Sequence, residues 1–307
     1  MALRGFVTAL KRPQATLTVL LGAIGVNAFL DYALIFGHFG APRLGIVGSG
    51  VATLCAYMFE CAAMLTIIYR TPELRRYRLF RRFFRPVWDK FFEIFRLGVP
   101  MGLSWVFEIL FFNTGALVMG YFGAAALAAH QVALNVISIL FMTPMGIGIA
   151  ASVRIGLAAG AGDKAAVRRA AGTALTLGGA LMGTIGVLVA IFPRTIAGLY
   201  FDAAAPANAD LMAQAVPYLR AGATLELFDA LQVIAIYSLR GLKDVKVPMV
   251  ITAIAYWAIG FPASLFLSFA TPLGGFGVWI AFVVSVVAVA AMLVARLGYK
   301  TGVLFRT

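Results

Sequence analysis

Charge is what this sequence has least of. Asp, Glu, Lys and Arg together make only 12% of its 307 residues, about half the share found in a soluble domain. An ordinary solvated surface cannot be assembled from so few, which excludes a soluble globular enzyme and a disordered chain. Cysteine is nearly absent too, with Cys55 and Cys61 the only two. Six residues apart in one apolar run, they cannot close a disulfide within a helix, and neither has a metal-ligand companion. Both are expected to be buried apolar residues. The sequence also holds no HExxH pair, no zinc-ligand spacing, no glycine-rich phosphate loop and no Ser/His/Asp set, so neither catalytic residues nor a cofactor are expected. What is there is apolar: 62% hydrophobic residues and a mean hydropathy of +0.96, the composition of a polytopic membrane protein. Met1 to Gln14 is short, basic and without a small-residue cleavage site, which does not fit a signal peptide.

A membrane span needs about 20 mainly apolar residues. Eight segments qualify, at 14–37, 44–69, 94–122, 126–152, 168–192, 209–239, 247–270 and 274–297. Turns rich in Gly and Pro separate them, as in His38-Phe39-Gly40-Ala41-Pro42 and Thr271-Pro272-Leu273-Gly274. With the spans placed so, 22 of the 25 Lys and Arg fall on one side, leaving only Arg43, Arg194 and Arg220 for the other. The positive-inside rule then predicts that both termini are cytoplasmic. It also accounts for the net charge of +13, so membrane lipid rather than nucleic acid is the expected partner. The arginine-rich loop between Tyr69 and Lys90 reads as a cytoplasmic linker retained by anionic lipid.

There is a faint internal repeat. Leu44-Gly45-Ile46-Val47-Gly48, opening the second span, echoes Leu273-Gly274-Gly275-Phe276-Gly277, opening the eighth. If spans one and two correspond to spans seven and eight, the two-halves logic of transporters predicts four more helices before residue 1.

Five acids fall within spans: Asp31, Glu60, Glu108, Glu226 and Asp229. A carboxylate near the bilayer centre costs about 2.5–3.5 kcal/mol on insertion scales, so each needs a water-filled cavity, a partner or a proton. Glu108 lies midway along its span and forms a candidate polar patch with Asn113. Asp229 is also mid-span, with Glu226 three residues earlier on the same face. Two carboxylates that close would hold a proton or share a cation, unless Arg220 neutralises Glu226 through an intervening group. Asn27 and Asp31, four apart on the first span, offer oxygen ligands to a hard cation such as Na+. Glu60 has no evident partner and reads as structural or protonated, and His130 reads as making a cap-side hydrogen bond to backbone. Pro144 and Pro262 fall within spans and predict interrupted helices, which mark transport sites where a cavity or neighbouring protein re-satisfies the backbone. Trp105 and Tyr256 are among the aromatic residues near the acids that would give cation–π walls for an organic cation.

Several ordered motifs bear a family likeness. Leu97-Gly98-Val99-Pro100 followed by Glu108 resembles the seventh helix of the multidrug and toxic compound extrusion (MATE) transporters, NorM branch. Leu127-Ala128-Ala129-His130-Gln131, Pro144-Met145-Gly146-Ile147-Gly148, Val153-Arg154-Ile155-Gly156, Leu239-Arg240-Gly241-Leu242-Lys243-Asp244 and Tyr256-Trp257-Ala258-Ile259-Gly260-Phe261-Pro262 are similar to later family segments. The resemblance implies an all-α protein of two six-helix lobes, of which this chain matches helices five to twelve. On that basis 1–69 is the end of the first lobe, 70–93 the basic inter-lobe linker and 94–307 the complete second lobe. The resemblance also implies inner-membrane antiport of cationic drugs and dyes against Na+ or H+, by a protein that is monomeric at full length. Glu108 and Asp229 would bind the coupling cation, Na+ included, with Asn27 matching a family asparagine. Asp31 stands where a second asparagine is usual. Glu226, Tyr256, Asn113 and Trp105 would contribute to the substrate cavity. A lipid-linked precursor flippase of the same superfamily and a non-transporting remnant are the alternatives.

Overall fold

Apolar runs this long can satisfy their backbone hydrogen bonds in a bilayer only as helices or closed barrels, and here they are helices. The computed structural model describes residues 2–10, 13–77, 87–202 and 205–303. Lys11, Arg12 and linker residues 78–86 lie outside the described residues. All eight expected spans are helices long and apolar enough to cross a membrane, and the described residues contain no strand. The protein is therefore an all-α, multi-pass membrane protein. It divides into two units, Met1–Val87 and Trp88–Thr307.

The first unit holds α1 (Ala2–Ala9), α2 (Pro13–Phe36), α3 (Ile46–Arg70) and the single turn α4 (Pro72–Arg75). Gly37 and Gly40, at φ of 77° and 79°, turn the chain between α2 and α3, a conformation open to glycine at no steric cost. The Leu44 amide then donates to the Leu34 carbonyl at 2.8 Å to close the hairpin. α1 lies on that hairpin, with Val7 packed in an apolar cluster with Val19, Met64, Ile68 and Leu74. Its Arg4 donates two hydrogen bonds to the Glu60 carboxylate on α3. Glu60 thus has the partner that its sequence neighbourhood does not reveal, because Arg4 comes from a different helix. Cys61 is exposed and Cys55 half-buried, contrary to the expectation of buried thiols. On a span the apolar surroundings of such a side chain are supplied by the bilayer instead of a protein core.

The second unit holds the other six spans. They are α5 (Trp88–Gly120), α6 (Ala124–Gly160), α7 (Lys164–Ile191), α9 (Ala209–Gly241), a broken helix from Lys246 to Phe269, and α12 (Gly275–Val303). A short α8 (Pro193–Ala197) and a 3-10 turn (Pro206–Asn208) join α7 to α9. Trp88 to Glu93, read from the sequence as linker, form the opening turns of α5. The least apolar span, α9, is also the most enclosed, packed against α6, α7 and α12. Surrounded by protein in place of lipid, it can carry the polar residues that a lipid-facing helix cannot.

Small residues let the neighbours of α9 come close. A Cβ on Gly241 would sit 2.6 Å from the Ser152 carbonyl oxygen, and one on Gly186 would sit 2.7 Å from that of Ala223. Both obstacles are backbone and cannot swing aside. Gly241→Ala is therefore expected to destabilise the second unit by about 1–3 kcal/mol, the usual cost of overpacking, read as a lower unfolding temperature in detergent. Gly146→Ala, with open space around its Cβ position, should leave it unchanged.

The two prolines behave differently. α6 runs unbroken through Pro144, so the interruption expected there is absent. The break occurs before Pro262, where α10 (Lys246–Ala253) passes into a π-helical segment (Ile254–Gly260) and then α11 (Phe261–Phe269). Proline removes one donor from the ladder, and the preceding turns widen into the π geometry, which recurs at functional sites. At Gly260 an added Cβ would meet Ser285 Oγ at 2.2 Å and the Phe111 ring, so the widened segment lies tight against α5 and α12.

Candidate functional site

A cavity of about 500 Å³ opens among α5, α6 and α9 of the second unit. Each wall is one helical face, as spacings of three and four residues require. α5 contributes Trp105, Glu108, Ile109, Phe112 and Asn113; α6 contributes Gln131, Asn135, Ser138 and Phe141; α9 contributes Leu225 and Asp229. Glu108 and Asp229, 121 positions apart by residue number, thus reach one space. No Lys or Arg lines it. The Trp105 and Phe141 rings meet edge to face, with centroids 5.8 Å apart.

Behind the cavity Glu108 is held by a polar link. Gln232 Nε2 donates to Glu108 Oε1 at 3.0 Å and lies 2.7 Å from the Tyr256 hydroxyl oxygen. That hydroxyl lies 2.9 Å from Gln232 Oε1 and 3.4 Å from Glu108 Oε1, so its proton can turn to either. Tyr256 comes from the π segment, which is tied to α5 again where Trp257 Nε1 donates to the Phe107 carbonyl at 3.3 Å. Phe111 stacks on Tyr256 at 5.1 Å and fixes its ring. Gln232 is 1% exposed, so Gln232→Leu removes the amide bonded to both groups and leaves Glu108 Oε1 and the Tyr256 hydroxyl only their 3.4 Å contact with each other. It is expected to cost about 1–3 kcal/mol of stability. Asn113→Ala, at an exposed position, should change stability by less than about 0.5 kcal/mol, and thermal unfolding of the two variants side by side checks both.

Asp229 is 2% exposed and its Oδ1 has no hydrogen-bond partner, while Glu226 is fully buried with neither carboxylate oxygen partnered. Buried groups in that state call for a proton, a cation or water. Glu226 and Tyr256, expected in the substrate cavity, are buried and are not among its lining residues. Arg220 is exposed and gives Glu226 no hydrogen bond. Asn113 does reach the cavity, but its side-chain amide donates to the Ile109 carbonyl at 2.8 Å instead of Glu108. Trp105 lines the wall as expected. Asn27 and Asp31 lie on α2 in the first unit, half-buried, with Asn27 Nδ2 and Asp31 Oδ1 unpartnered. His130 makes no backbone hydrogen bond: it is fully buried, both ring nitrogens lack partners, and its ring packs 5.5 Å from that of Trp279. Seven residues into α6, it is too deep to serve the helix start. Among the described residues no three of His, Cys, Asp and Glu are grouped to hold a metal ion.

The sequence reading missed Gln232 and the α6 wall. Gln131, Asn135 and Ser138 form a polar stripe at helical spacing within an apolar span, a signal that was available. Gln232 stands three residues after Asp229 on the least apolar span.

Known proteins share this organisation. Residues 100–266 match the family model MatE. A probable multidrug resistance protein NorM of Rhizobium meliloti (strain 1021) is 43% identical over 293 residues, 95% of this chain and 63% of that protein. One from Mesorhizobium japonicum is 40% identical, covering 96% of this chain and 63% of its own length. The chain thus spans under two thirds of the length of these relatives. In fold it is similar to the eukaryotic MATE transporter AtDTX14, with a TM-score of 0.83 at 20% identity over 96% of this chain and 66% of that one. A Vibrio cholerae MATE transporter, VcmN, gives 0.83 at 16% identity, covering 97% and 65%.

Proposed function

This chain belongs to the MatE family, a family of transporters and not of enzymes, and from that premise we propose that it serves multidrug efflux by antiport of cationic amphiphiles against Na+ or H+. The observation that carries the proposal is the cavity: two carboxylates, Glu108 and Asp229, face one space with aromatic walls and no basic residue. Its volume falls in the range of about 300–1,000 Å³ typical of small-molecule sites. A flat organic cation would find counter-charge and cation–π surface there. A pyrophosphate headgroup would find neither a lysine nor an arginine, which weighs against a flippase of lipid-linked precursors.

In this proposal the coupling ion and the drug compete for the same carboxylates. Protonation, or Na+ taken at Glu108 and Asp229, would displace the drug and favour one access state by differential affinity. The Gln232–Tyr256 link holds Glu108 toward the cavity while a hydroxyl proton stands by to compensate a change in its charge. Asn27 and Asp31 would supply a further cation position in the first unit. The proposed working setting is the inner membrane, with both termini cytoplasmic and the full-length protein monomeric.

The test is ethidium efflux from drug-sensitive cells expressing the whole reading frame that contains these residues. Export above the vector control, abolished when the Na+ and proton gradients are both collapsed, is the expected result. Export that survives loss of both gradients, or no export from cells with the protein well inserted, overturns the proposal. Collapsing each gradient alone identifies the coupling ion.

A further inference from the structure

A second recess lies away from the drug cavity, on the α6–α7 hairpin. The turn between these helices, with Gly162 at a φ of 72°, brings Arg154 of α6 and Lys164, Arg168 and Arg169 of α7 to one end of the pair. The nearby acid, Asp163, is used in capping α7, where its Oδ1 accepts from the Ala166 amide at 2.9 Å. A groove of about 630 Å³ begins near the turn at Leu157, Ala158 and Ala166 and passes between Arg154 and Arg169 about one helical turn further in. From there it follows α7 through Thr173 to Leu177 and α6 back through Ala150 to Ile147. Those steps of three and four residues keep to one face of each helix and run about 12 Å into the span at 1.5 Å per residue. Arg169 also borders a smaller recess of about 360 Å³ beside Lys164 and Arg168.

We propose that this groove is a binding site for an anionic phospholipid, with a preference for one carrying two phosphates. Cations near the turn end and a longer, mainly aliphatic track leading inward from them match an amphiphile whose head is negative. The track holds no aromatic residue, so a nucleotide base would have nothing to stack on, and both walls belong to membrane spans. Arg169, shared between two recesses, is placed to bridge two phosphates. Basic pockets between membrane helices are suited to such headgroups on general electrostatic grounds. The site is independent of the drug cavity and of the efflux reading.

The test uses the purified 307-residue chain in neutral detergent, titrated with tetraoleoyl cardiolipin or dioleoyl phosphatidylethanolamine and followed by native mass spectrometry. Cardiolipin is expected to be retained at a single saturable site and phosphatidylethanolamine not. The double variant Arg154→Gln/Arg169→Gln should weaken cardiolipin retention roughly thirtyfold. Thr173→Trp, which keeps every charge and fills the exposed track, should weaken it as well. Arg70→Gln/Arg76→Gln, equal in charge change but outside the groove, should leave it intact. Equal losses from both double variants would mean diffuse attraction and overturn the site. Displacement of cardiolipin by inorganic pyrophosphate, with Thr173→Trp binding like the parent, would make it a soluble-anion site and overturn the lipid assignment.

Discussion

An Asp229→Asn protein is expected to insert and fold like the parent and yet export no ethidium above the vector control. Asparagine has the shape of aspartate, and Asp229 Oδ1 makes no hydrogen bond whose loss would weaken the fold. The change instead removes one of the two carboxylates facing the cavity. A ligand shifts a two-state equilibrium only by its differential affinity, and moving it from 1:99 to 99:1 takes a ratio of about 10⁴. On the proposed antiport, a coupling ion that lost its charge partner at Asp229 would not supply that ratio, and a bound drug would then have nothing to displace it. Glu108→Gln should act the same way, because the Gln232 amide can still donate to the new side-chain oxygen and the local packing is kept. Transport is thus expected to vanish in both, while the thermal stability of Asp229→Asn stays level or rises, since the carboxyl it replaces has an unpartnered buried oxygen. Asn113→Ala, on the same wall but bonded to its own helix, should export at nearly the parent rate. Parent-level efflux by Asp229→Asn would remove Asp229 from the mechanism.

The spans were legible because hydropathy is a local property: each of the eight can be read from a run of about 20 residues without knowing its neighbours. Glu108 and Asp229 stood out for the same reason, as isolated charges in apolar surroundings. Their junction was less accessible. Glu108, Gln232 and Tyr256 meet from three elements, separated by 124 and 148 positions from the first, and no periodicity records which helix faces pack together. The prolines illustrate the limit from the other side. Pro144 and Pro262 present the same local signal, but α6 continues through one while the other follows a π segment, so the neighbours decide which ladder breaks. From the sequence His130 reads as making a cap-side hydrogen bond, because it stands near the start of a span. The helix begins earlier than its apolar run suggests, at Ala124, which carries the ring into the aromatic core beside Trp279. Glu60 failed to show a partner for a simpler reason: Arg4 is 56 positions away and belongs to a short helix that hydropathy does not single out.

That ion pair sets up the other large effect. Arg4 and Glu60 have side-chain exposures of 26% and 10%, so the pair is well shielded on the Glu60 side. Replacing a buried pair by apolar residues is often nearly neutral, whereas removing one partner leaves a stranded charge and costs about 3–5 kcal/mol. Arg4→Met should therefore release α1 from α3, because a helix of eight residues has no stability of its own and the contacts of Val7 and the part-buried Leu3 and Phe6 with the apolar cluster would be set against a stranded Glu60 carboxylate. The expected readout is in amide hydrogen exchange: α1 exchanges like an unstructured peptide in Arg4→Met, while the second unit keeps its protection. Glu60→Leu combined with Arg4→Met should restore protection of α1, since the stranded carboxylate is gone and two apolar side chains take the place of the pair beside Val7 and Met64. A merely decorative ion pair predicts otherwise: both proteins would then exchange like the parent. Recovery in the double variant but not in the single one separates the cost of an unpaired charge on a membrane span from the loss of a surface contact.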